Sequence, residues 1–184
     1  MSPRFPSVAV IGAGPSGISA VKALHEENAF QRIALFERRS EPGGIWNLDP
    51  IPDAFPTPTS NPPRPDNIPE KPPQLVSPSA EDVTARTAIY DALDSNVGAK
   101  AMAFTHTEFP LINSASSTRH LGHSNPTRPF RVVKRYLEDV FKHYLHLASF
   151  NTTVVVLRKI GDKWRLTLRQ SGHFFDGSPK DYWW

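Results

Sequence analysis

Val8, Ala9, Val10 and Ile11 form an unbroken apolar run, and Ile33 to Phe36 form a second. Runs this short and this apolar predict buried strands. Between them Ile18, Val21 and Leu24 recur at i, i+3 and i+6, with Ala20 and Ala23 on the same face. That spacing predicts an amphipathic helix whose small residues let a sheet come close. Polar His25, Glu26, Glu27 and Asn28 suit its exposed end. Residues 5 to 48 therefore predict a strand–helix–strand start with parallel strands. Later, Val133, Leu137, Val140, Phe141, Tyr144 and Leu145 make one apolar stripe opposite a charged face, predicting a helix over Phe130 to Ala148. Thr153 to Leu157 and Lys163 to Arg169 are β-rich runs joined through Gly161 and Asp162, a hairpin pattern. Phe174 and Phe175, followed by Asp176 and Gly177, predict the start of another. Weaker patterns place a short helix within Ala80 to Asp94, from Val83, Ile89, Tyr90 and Leu93. Ala99 to Phe104 predicts a short strand or extended segment, and residues 105 to 128 predict loop. No internal repeat is visible.

One stretch breaks the periodicity altogether. More than half of the 19 prolines lie between Pro50 and Pro78. Proline removes backbone donors and fixes φ, so residues 49 to 80 exclude a helix or an interior strand and predict a Pro-rich loop inserted in the domain. Pro62 with Pro65, and Pro69 with Pro72, satisfy P-x-x-P, but a run this rich in proline gives such spacings by chance.

Composition narrows the chemistry. With 184 residues, 39% hydrophobic and 21% charged, the chain has the size and make-up of one ordinary globular domain. There is no cysteine, which excludes disulfides, thiolate zinc sites and dithiol redox centres. No apolar run approaches the ~18 residues needed to cross a bilayer, and no signal-peptide pattern precedes the first strand, so the expectation is a cytoplasmic protein without a membrane partner. The formal charge of +3 is mild. Arg128, Arg131, Lys134 and Arg135 form a basic group that reads as a solvated helix face, because Glu138 and Asp139 follow and no aromatic stacking pattern accompanies it. No nucleic-acid partner is expected. His120 with His123, and His143 with His146, have the spacing of metal ligands, but nearby cysteine is lacking and carboxylates are scattered; no metal site is expected.

The first strand runs straight into Gly12, Ala13, Gly14, Pro15, Ser16 and Gly17, a G-x-G-x-x-G turn, and Glu37 closes the second apolar run about 20 residues after Gly17. In this context the motif has a physical reading. Gly12 permits the tight turn, Gly14 lets backbone approach a pyrophosphate, and Gly17 lets the helix pack on the strand. The helix N-terminus offers unpaired N–H groups and a positive dipole end to phosphates. A carboxylate at 37 accepts bonds from ribose hydroxyls and repels a 2′-phosphate, which favours FAD or NAD at this site.

Four segments in order resemble the N-terminal part of flavin-containing monooxygenases of fungal type. They are Val10 to Gly17; Phe36 to Asn47, with Glu37, Arg38 and then Gly43, Gly44, Ile45 and Trp46; Tyr90 to Asn96 continuing through Met102 to Phe104; and Arg131 to Leu147. The run from Asn151 to Val154 followed by Lys163 and Trp164 is also similar to that family's small hairpin. The resemblance implies a Rossmann-like α/β FAD-binding domain over residues 1 to 184, with a parallel sheet and a small β-hairpin or meander. It implies FAD held by Gly12, Ala13, Gly14, Pro15, Ser16, Gly17 and Glu37, with Gly44, Ile45 and Trp46 near the ribityl chain and flavin. Ordinary core packing is the competing reading of Trp46. Asn96 aligns with the family's asparagine facing the reactive edge of the flavin; an asparagine in a turn before Gly98 is an equally common feature. Val97 stands where the family often has threonine.

The implied reaction is NADPH-dependent oxygenation of a small amine or sulfide through a flavin hydroperoxide. The NADPH domain and a closing strand are expected beyond this chain, which the resemblance makes an incomplete fragment, binding FAD weakly and inactive alone. Oligomeric state is not legible. The alternatives are a Baeyer–Villiger monooxygenase fragment, a non-catalytic nucleotide-binding or interaction module, and an NAD-dependent dehydrogenase.

Overall fold

The computed structural model describes residues 6–50, 86–170 and, for the backbone alone, 180–183. The predicted hairpin start at Phe174 to Gly177 and nearly all of the Pro-rich segment lie outside the described residues. The chain begins β1 (Ser7–Ile11), α1 (Pro15–Glu27), β2 (Arg32–Phe36). The two strands pair in parallel, with Ser7 opposite Arg32 and Ile11 opposite Phe36. A third, two-residue parallel strand, β3 (Ala148–Ser149), pairs Leu35 and Phe36 on the other side of β2. Pattern reading misses β3 because two residues carry no period, and their pairing depends on a partner more than 100 positions away.

Strand alternation divides the sheet's two faces between two cores. Val10 and Leu35 turn toward the helices, packing with Ile18 and Val21 of α1 and with Val133, Tyr136, Leu137, Val140 and Phe141. Ala9, Ala34 and Phe36 turn the other way, against Leu166, Leu168 and Val154. That second face is covered by an antiparallel meander of β4 (Thr152–Ile160), β5 (Lys163–Gln170) and β6 (Lys180–Trp183), in the order β4-β5-β6. Gly161 at φ +59° makes the β4–β5 turn, as the hairpin pattern predicts. The architecture is a parallel sheet between a helical layer and a meander, in agreement with the α/β expectation.

Four expectations are corrected. Residues 86 to 94 form no helix; Leu93 and Asp94 are instead drawn to Phe130 and Pro129 by a backbone bond of 2.9 Å and a bridge. Ala99 to Met102 form a short helix, α2, where an extended segment is predicted. Residues 115–121 within the predicted loop form α3 (Ala115–Leu121), started by Ser114, whose side chain accepts the Ser117 N–H at 2.9 Å. The long helix is split: α4 (Phe130–Phe141) is α-helical and Lys142–Leu147 tightens into a 3-10 turn.

The basic group is also not a solvated face throughout. Arg128 precedes α4 and is buried, and Lys134 lies against Glu41 and Glu138 at 3.1 Å each. Arg131 and Arg135 do behave as expected, exposed and paired with Asp91 and Asp139. No helix among the described residues is long and apolar enough to cross a membrane.

Candidate functional site

The glycine turn sits at the C-terminal end of β1, where the strand hands over to α1. Gly12 takes φ +93°, and its N–H donates to the Phe36 carbonyl at 2.8 Å, tying the turn to β2. Gly17 is required by packing alone: a Cβ there would lie 1.9 Å from the Gly12 carbonyl oxygen. Gly14 is not. It has φ −76°, and an added Cβ would meet only the Gly44 Cα at an ordinary 3.7 Å. An added Cβ on Gly12 would meet nothing within 4 Å. The space above Gly12 is therefore open, as an incoming phosphate requires, while Gly14 has the Gly44 backbone in van der Waals contact.

Glu37 follows β2 and points into the turn. Its Oε2 accepts the Ala13 N–H at 2.6 Å, and its Oε1 accepts the Arg39 N–H at 2.8 Å. Its own backbone continues the parallel ladder, donating to Ser149 and accepting from Thr152. The residue is only 4% exposed, so a sugar hydroxyl reaches it only after local displacement of the segments packed over it. Each carboxylate oxygen keeps a second acceptor direction for that purpose.

The second glycine pair closes on the first turn. Gly43 (φ +119°) donates its N–H to the Ala13 carbonyl at 2.8 Å, and Gly44 (φ +59°) lies so close that a Cβ would be 2.8 Å from the Gly14 Cα. The close approach that these glycines permit is thus, in this structure, to the chain itself. Lys134 of α4 braces the loop, donating to the Pro42 carbonyl at 2.8 Å. Ile45 projects outward, 67% exposed, and Trp46 packs half-buried on the helical core, as an ordinary tryptophan does.

Asn47, 3% exposed, follows them. Its side-chain Nδ2 and Oδ1 have no partner among the described residues. Sequence reading passes over it, since only burial singles it out. An orphaned amide beside Gly43, in the loop that packs on the glycine turn, fits a polar ligand such as FAD better than it fits a closed core.

Asn96 is displayed differently. Ser95 N–H donates to the Arg128 carbonyl at 2.7 Å, Arg128 N–H donates to Ser95 Oγ at 3.0 Å, and Ala99 N–H donates to the Pro126 carbonyl at 2.9 Å. Asn96 and Val97 form an exposed bend between these clamps. The turn, Glu37 and the Gly43–Trp46 loop are thus joined directly; no direct bond links Asn96 to them among the described residues.

Asp49 lies two residues beyond Asn47, near the end of the described part of this segment. Burial works to raise its carboxyl, but the Thr87 N–H at 2.6 Å and the Arg39 guanidinium at 3.2 Å overcome that and hold it below the usual carboxylate value. Thr87 Oγ1 also donates to the Asn47 carbonyl.

Comparison with known proteins agrees with this geometry. The NAD(P)-binding Rossmann-like domain family matches residues 10–56. A flavin-containing monooxygenase of Arabidopsis thaliana, FMO GS-OX5, is 30% identical over 183 residues, 95% of this chain and 32% of its own length. A second, FMO GS-OX1 of the same plant, is 27% identical over 91% of this chain and 31% of its own length. Among solved structures, Tmm from Pelagibacter sp. strain HTCC7211 superposes with a TM-score of 0.64 at 20% identity, covering 97% of this chain and 34% of that one. S-allyl-L-cysteine S-oxygenase from Allium sativum gives 0.61 at 22% identity, covering 100% of this chain and 35% of that one. The two structures establish the fold. The resemblance to flavin-containing monooxygenases runs through nearly the whole chain, which spans about a third of the length of those relatives.

Proposed function

We propose that this chain is the FAD-binding portion of an NADPH-dependent flavin monooxygenase that oxygenates soft nucleophiles, an amine nitrogen or a sulfide sulfur. The observation that carries the reading is Glu37 reaching across to the Ala13 N–H at 2.6 Å, which puts a carboxylate at the glycine turn. The amides of Gly14, Ser16 and Gly17, which have no backbone partner among the described residues, would receive the diphosphate, aided by the helix dipole. Glu37 would accept the adenosine ribose hydroxyls. Ile45 and Trp46 would bound the flavin end, and the Asn96 amide would present a neutral donor to oxygen without giving up a proton. Bound FAD would supply the redox and oxygen-transfer chemistry.

The match to an NAD(P)-binding family supports a second reading, a nicotinamide dinucleotide at the same turn. One preparation separates them. The purified chain, titrated with excess FAD at equilibrium, should bind it saturably with a change in the flavin absorbance spectrum, and should not oxidise NADPH in air. A folded protein that binds NAD instead would overturn the flavin reading, and substrate-dependent NADPH oxidation would overturn the expectation of inactivity.

A further inference from the structure

The clamp between residues 95–99 and 125–128 has a cavity beside it. Its volume is about 460 Å³, and its wall runs from Gly98 to Ala101 and from His123 to Pro126, completed by Leu111 and Arg128. Arg128 is 5% exposed. Its Nε donates to the Pro110 carbonyl at 3.1 Å; Nη1 shares its two hydrogens among Asn113 Oδ1 at 2.5 Å and the carbonyls of Asn125 and Thr127 at 2.7 and 2.6 Å. These dipoles fix the guanidinium but do not cancel its charge. Among the described residues no carboxylate pairs with it and Nη2 makes no hydrogen bond. The guanidinium is largely desolvated and lacks a counter-ion there, and its Nη2, which keeps some solvent access, is the edge an anion can take.

The other ionisable side chains of the wall are Lys100 and His123, both exposed, and no Asp or Glu lines it. The remaining wall is largely small and apolar: Gly98, Ala99, Ala101, Leu111 and Pro126. Such a wall suits an organic carrier of negative charge better than a free inorganic ion, and the volume is within the range of small-molecule sites.

We propose that this cavity binds the carboxylate end of a small organic acid, with the planar Arg128 guanidinium as the fixed donor and Lys100 and His123 at the mouth. The cavity begins two residues after Asn96, and the Arg128 backbone is bonded to Ser95. Resting on the function proposed above, this narrows the substrate class to sulfides or amines that carry a carboxylate.

The test titrates the full chain at low, matched ionic strength with sodium butyrate, phosphate or chloride, following amide shifts by NMR. Butyrate should shift residues 98–101 and 123–128 saturably, with phosphate weaker and chloride inert. The Lys100→Ala, His123→Ala double variant changes only exposed side chains and should weaken butyrate about tenfold while keeping the folded spectrum. Equal responses to butyrate and chloride, or an unchanged affinity in the double variant, would overturn the site; tighter phosphate than butyrate would overturn the carboxylate assignment. Flavin binding in the same preparations keeps the two readings apart. A chain that takes up butyrate but no flavin refutes the monooxygenase reading alone, and one that holds flavin but ignores butyrate refutes the cavity alone.

Discussion

Gly14 and Gly17 stand three residues apart in one turn, yet the chain needs them for different reasons. A Cβ on Gly17 would collide with the Gly12 carbonyl at 1.9 Å, so Gly17→Ala should cost about 2–4 kcal/mol of stability, as overpacked core changes do. Gly14 has ordinary space and a φ that alanine adopts readily. Gly14→Ala should leave stability within about 1 kcal/mol and weaken FAD binding about tenfold or more. Denaturant melts and flavin titrations of the two variants check this; a Gly14→Ala protein that binds FAD as the parent does would show that the turn is not a phosphate cradle. The spacing of Gly12, Gly14, Gly17 and Glu37 is legible in the sequence because the motif is local and each residue type has one physical purpose. The orphaned Asn47 amide and the buried Arg128 are not legible, since an asparagine or an arginine in a polar stretch reads as solvated until the packing around it is known.

Among the elements, those with a clear period appear where the sequence puts them: β1, α1, β2, α4 and the β4–β5 hairpin. The misplaced ones are short and held by distant partners. Residues 86–94 lose their helix because Leu93 and Ser95 bond to the segment around Arg128 and Phe130, and α3 depends on the Ser114 cap and the Ser117–Asn125 contact rather than on an apolar stripe. A comparable staple involves Asp49. By holding Thr87 and Arg39, it joins the two ends of the segment from 50 to 86 and offsets a loop-closure cost that grows only slowly with the length of an insertion. Its carboxyl lies below the ordinary 3.8 in the folded chain, so its contribution is fully present above that value and is lost as pH falls through the lower, folded one. Asp49→Asn should therefore cost about 1 kcal/mol at neutral pH, with the gap to the parent closing in acid. Urea melts across pH check it. A gap that stays constant well below 3.8 would contradict the assignment.

At the scale of the whole molecule, a three-strand parallel sheet holds the glycine turn at one end, with helices on one face and a meander on the other. All the features argued to receive the diphosphate and the sugar lie within the first 47 residues, and α4 braces them through Lys134. The most direct measurement is hydrogen exchange of the full chain with and without FAD. Amides of residues 12–18 and of 37–47 should exchange more slowly when FAD is present, because the diphosphate occupies the turn and the ribose occupies Glu37. FAD that leaves these amides unprotected, or protects only other parts of the chain, would contradict the account at its centre.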